Sequence, residues 1–146
     1  MKFKETEFIS MVPYIRDRKG HHFFYQTCLK EIFDSQKISY RGYISTYCNP
    51  IDIPPEWIKI FSRMRYRYRD FVRIFDAKTQ ASSRIFFIDV FYGWDLFFLC
   101  LAMLTHSRSN DFLWLFFRHP LPKQKHNPYS LICRILYRKL GPVLFA

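Results

Sequence analysis

Short apolar runs rich in Phe, Ile, Val and Tyr recur along this chain, and segments of helical spacing stand between them. Few patterns constrain a fold as strongly. Strand and helix in regular alternation build a parallel sheet with helices on its faces, because parallel strands need long crossovers and these are usually helical. The first run, Phe8 to Tyr14, is closed by Pro13 and a charged turn. His21 to Gln36 follows with Phe24, Cys28 and Ile32 at i, i+4 and i+8, the spacing of one helix face. Ile38 to Thr46 is a second strand, with Gly42 inside it.

"NPIDIPPE" reads as a loop, since its prolines cannot serve a helix interior. Pro55 and Glu56 then suit the first turn of a helix. Trp57, Phe61, Met64, Tyr68, Phe71 and Phe75 recur at intervals of four and three and predict one long amphipathic helix. Arg84 to Phe91 is a third strand, Trp94 to His106 a helix, and Phe112 to Phe117 a fourth strand. Pro128 to Leu140 predicts a last helix stopped by Gly141, and "VLFA" a fifth strand whose open edge invites self-association. The expected fold is α/β: a parallel sheet of about five strands, with helices on both faces and Ile9, Val12, Ile85, Phe87, Ile88, Leu113 and Leu115 buried. At 146 residues the chain is expected to form a single domain.

Composition narrows the partners. A formal net charge of +11 favours anionic ligands without choosing among them. "SRMRYRYRDFVR" offers arginine beside tyrosine, as a nucleic-acid surface would. Yet Tyr68 belongs to the apolar stripe, and no recognition helix, zinc finger or RNA-binding motif accompanies the run. Nucleic-acid binding is therefore the weaker reading.

Ile85 to Thr105 has the length of a membrane span, but Asp89, Gly93 and Asp95 interrupt it. The alternative of a small basic membrane-associated protein, anchored through Ile85 to Thr105 with its basic flanks or in peripheral contact, stays open. Glutamates stand where a signal peptide needs its apolar core, and no cysteine lies in a C-x-x-C pair, so the expectation is a cytoplasmic protein without a structural metal.

In parallel sheets, ligands sit beyond the carboxyl ends of the strands, in loops that lead into helices. "RDRKGHH" is such a loop. Gly20 allows a close backbone approach, and His21 and His22 stand at a helix start, where free N–H groups attract anions. One glycine is not the dinucleotide fingerprint, and no cofactor is expected. A plain turn capped by its histidines is the competing reading. "FYGWD" follows the third strand; Tyr92 and Trp94 can stack on a sugar, and Asp95 can take its hydroxyls or serve as a first-turn acid. Arg118, in "RHP", can hold a phosphate or carboxylate or face solvent.

"GHHFFY" after a strand and a charged turn resembles the opening of retaining GT-B glycosyltransferases of the type-1 group. "RIFFIDVFYGWDLF", "DFLWLFFRHPLP" and "YSLICRILYRKLGPVLF" resemble later parts of the same plan. The resemblance implies a Rossmann-like acceptor-side domain over residues 1–146, with a nucleotide sugar or glycan acceptor as ligand. It implies Gly20, His21 and His22 in the cleft facing donor and acceptor, with Arg118 at its border. With Tyr92, Trp94 and Asp95 from the loop after the third strand these make up the expected site, His21 and His22 as its catalytic pair. It also implies that a second, donor-binding domain lies outside this chain, which alone would be inactive in glycosyl transfer.

Overall fold

The computed structural model describes residues 6–49, 53–62, 65–90 and 93–117. They form an α/β fold in the order β1 (Thr6–Val12), α1 (His21–Ser35), β2 (Ser39–Ser45), β3 (Ile58–Phe61), α2 (Tyr68–Phe75), β4 (Ser83–Val90), α3 (Gly93–His106) and β5 (Asp111–Phe117). The five strands make one sheet in the order β3-β2-β1-β4-β5, and every pairing is parallel. This is a Rossmann-like arrangement.

β1 is central and buried along its whole length, its polar Thr6, Glu7 and Ser10 included. Its neighbours alternate between the two faces of the sheet. Ile9 and Met11 join Tyr43, Phe86, Ile88 and the buried sides of α2 and α3 in one core. Val12 joins Ile44, Cys48 and Trp57 in the other, with Phe23 of α1 packed against it. Phe8 stacks on Phe33 of α1 with ring centroids 4.1 Å apart. Helices therefore cover both faces: α1 lies on one, α2 and α3 on the other.

The long helix expected from Trp57 to Phe75 is not formed. Its first part is the edge strand β3, paired through Tyr43 with Ile58 and Ile44 with Lys59, and only Tyr68–Phe75 is helical. Ile58 and Ile60 are β-branched and suit a pleated edge. Trp57 and Phe61, on one stripe of the expected helix, pack in different cores. Glu56 does not open a helix; it lies 2.8 Å from Lys30 of α1, which holds its carboxyl below the usual range.

α1 also turns differently from its pattern. Phe24 and Ile32 are 65% and 56% exposed, and Gln26 is the buried residue of the helix. Gln26 accepts from the Tyr40 hydroxyl at 2.5 Å. Of the expected core, Ile9, Val12 and Ile88 are buried, whereas Ile85 and Phe87 are half-buried and Phe86 takes the interior place. The side chains of Leu113 and Leu115, the helix at 128–140 and the strand at 143–146 lie outside the described residues. Ile85 to Thr105, long enough for a membrane span, divides into β4 and α3, the strand and helix expected there. No helix among the described residues is long and apolar enough to cross a membrane.

Candidate functional site at the carboxyl edge

The strand order reverses direction between β1 and β4. The chain leaves β1 towards β2 on one side and leaves β4 towards β5 on the other, so the loops after β1 and β4 part and open a crevice. The loop after β1 is the one ending in "GHH". Asp17 tightens it by accepting the Lys19 N–H at 2.7 Å. Gly20 is the N-cap of α1, at φ 94° and ψ 161°, and the space its missing side chain would enter is open for 4 Å. No side chain among the described residues caps this helix, and its first turn holds no acid. The amides of the first turn thus keep their affinity for a negative group.

His21 is exposed and His22 half-buried, and their rings stand 4.2 Å apart. Tyr14, just past β1, stacks on His22 at 5.7 Å. Tyr14 meets Tyr66 edge-on at 6.4 Å, and the Tyr66 hydroxyl donates to the Met11 carbonyl at 2.5 Å. An aromatic chain therefore ties the histidine pair to the end of β1 and to the segment before α2. Sequence pattern gave no sign of Tyr14 or Tyr66. The first looked like the end of a strand and the second like one tyrosine among arginines.

After β4, Trp94 and Asp95 open α3. Trp94 is half-exposed and rests against Phe97 and Phe98 at 5.8 and 5.9 Å. Asp95 is buried in the first turn, where the helix dipole favours its charge. Tyr92 and Arg118 lie outside the described residues. The topology brings Gly20, His21 and His22 to the same sheet edge as Trp94 and Asp95.

A third helix start adds a group that the sequence pattern hid. Asp70, in the first turn of α2, is 1% exposed, and neither carboxyl oxygen has a hydrogen-bond partner among the described residues. Burial raises its pKa, and the charges of Arg69, Arg67 and Arg73 draw it part of the way back. In "RYRYRD" it passes for one more solvated charge. Tyr66, in the same run, is likewise packed inside and not presented at the surface.

Among the described residues no group of three His, Cys, Asp or Glu side chains could hold a metal ion. Cys28, Cys48 and Cys100 are not joined in a disulfide. The sequence matches no known family and no curated protein at a significant level.

Proposed function

We propose that the carboxyl-edge crevice binds a phosphate-linked sugar or a glycan, as the acceptor-side domain of a GT-B glycosyltransferase does. The observation that carries this reading is the reversal of strand order between β1 and β4, with an uncapped helix start and two adjacent imidazoles on one side of it. Ligands of open parallel sheets collect at such reversals. The amides after Gly20 supply a partial positive charge for a phosphate. His21 or His22 hydrogen-bonds a sugar hydroxyl or the leaving group. Trp94 offers an exposed ring for a sugar face. Arg118 and Tyr92 complete the border in this reading, and a donor-binding partner domain would supply the rest of the transferase.

Titration of the chain with uridine diphosphate, a uridine diphosphate sugar and free glucose, followed by amide NMR, tests the reading. Shifts are expected at residues 14–22 and 94–95, with a dissociation constant of about 1 mM, since a half-site supplies about 4 kcal/mol. His21→Ala and His22→Ala should each weaken that binding. Shifts confined to other regions, or affinities unchanged in both variants, would overturn it.

A further inference from the structure

We propose a second site, at the opposite, amino edge of the sheet, that takes a small phosphorylated polyol. α2 has eight residues and is about 12 Å long, whereas β1 beneath it extends about 23 Å. The helix cannot cover the strand, and the chain returns to β4 through residues 76–82. A cleft of about 920 Å³ opens there, with Glu7 and Arg41 from the sheet and Lys78 and Arg108 from the two neighbouring loops in its lining. A hexose phosphate fits comfortably in that volume.

Glu7 is the built feature of the cleft. Its side chain is 3% exposed, and its Oε1 lies 2.7 Å from Nη2 of Arg41. Its Oε2 is buried and has no hydrogen-bond partner among the described residues. A buried carboxylate oxygen without a donor is rare, because nothing replaces the water it gave up. What it needs is a donor, and Arg41 has already balanced the charge. A second cation would meet Lys78 and Arg108, which carry no ion pair among the described residues. A neutral hydroxyl satisfies Oε2 without that repulsion. The two basic side chains, both exposed, then favour a phosphate on the same molecule. A hydroxyl and a phosphate on one small scaffold describe a sugar phosphate or the ribose phosphate of a nucleotide.

Calorimetric titration of the full chain with glucose 6-phosphate, adenosine monophosphate, glucose and inorganic phosphate tests this site. At least one of the two phosphate esters should bind about tenfold more tightly than inorganic phosphate or glucose, and which one binds identifies the source of the phosphate. Lys78→Ala combined with Arg108→Ala should weaken that binding about tenfold, and Glu7→Gln should weaken it about fivefold. The first variant changes exposed side chains only, so it remains informative if Glu7→Gln does not fold. Inorganic phosphate binding as tightly as the esters would overturn the proposal. So would ester binding unchanged in the Lys78/Arg108 variant, or no binding by either ester at about 10 mM. None of these outcomes depends on the histidines of the opposite edge.

Discussion

Arg84 of β4 holds Asp111 of β5 in a two-pronged grip: Nε donates to Oδ1 at 2.8 Å and Nη2 to Oδ2 at 2.6 Å. The two residues face each other in the strand register, and both side chains are buried. Nη1 donates to the carbonyl of Phe75 at 2.7 Å, at the last residue of α2, where a helix carbonyl lacks an internal partner. One guanidinium thus joins two strands to the end of a helix on the same face. It also lies over the ring of Phe86, 5.0 Å from its centre.

Removing one partner leaves the other charge buried and unpaired. Arg84→Ala or Asp111→Ala should each lower stability by about 3–5 kcal/mol. Replacing both, as Arg84→Met with Asp111→Leu, should cost clearly less than the sum of the single changes. Urea unfolding of the four proteins measures the coupling. Simple additivity would show that the grip is incidental.

Asp70 predicts the opposite sign. Its pKa is raised in the folded chain, chiefly by burial, so the native state holds a proton that the unfolded chain has already released. Stability must then fall as pH rises from the ordinary carboxylate pKa through the raised value, and level off above it. Asp70→Asn should remove this slope and stabilise the protein at pH 7 by about 1 kcal/mol, the lower end of the cost of an unsatisfied buried group. In thermal melts that is a gain of about 2–4 °C. A lower Tm for the variant would mean that the carboxylate is engaged.

How far the sequence could be read depends on which physical signal each residue carries. The parallel alternation was legible because the stretches that become β1, β2, β4 and β5 are rich in β-branched and aromatic residues and are bounded by turn residues. β3 was not, since Trp57 and Phe61 fit a helical stripe and only the sheet reveals that they serve different cores. The stripe of Phe24, Cys28 and Ile32 misled in another way. Spacing says that apolar residues share a face, not that anything covers it. At the candidate site, "GHH" stood out through its glycine and its place after a strand. Tyr14, Tyr66 and Asp70 did not, because each acquires its role from burial and from partners distant in sequence.

Two glycines should fail for different reasons. Gly20→Ala meets no atom within 4 Å, but its backbone, at φ 94° and ψ 161°, lies where only glycine rests without strain. The cost should be conformational, about 1–3 kcal/mol. Gly42→Ala would place its Cβ 3.0 Å from Cδ1 of Trp57, whose indole lies against the strand. That cost is overpacking, again about 1–3 kcal/mol. Trp57→Leu should therefore relieve part of the penalty of Gly42→Ala and none of that of Gly20→Ala. Denaturant unfolding of the two double-mutant cycles separates them. Equal coupling in both cycles would refute the distinction.

The end of α1 supplies the last prediction. The Ile38 N–H donates to the Phe33 carbonyl at 2.9 Å, and the Lys37 N–H to the Asp34 carbonyl at 3.0 Å. This is the paired closure of a helix by a left-handed residue, and that residue is Lys37, at φ 56°. Glycine usually occupies the position because a Cβ there crowds the following carbonyl, at a cost of about 1–2 kcal/mol. Glycine gives back part of that gain through the greater freedom of the unfolded chain, about 0.5–1 kcal/mol. Lys37→Gly should thus stabilise the protein by up to about 1 kcal/mol, and Lys37→Asn by less. Lys37→Val should destabilise it, since a branched Cβ is least tolerated at positive φ. The expected order of Tm is Gly, Asn, Lys, Val. If Val melts with Lys and Gly gains nothing, the left-handed closure does not exist in solution and α1 ends in some other way.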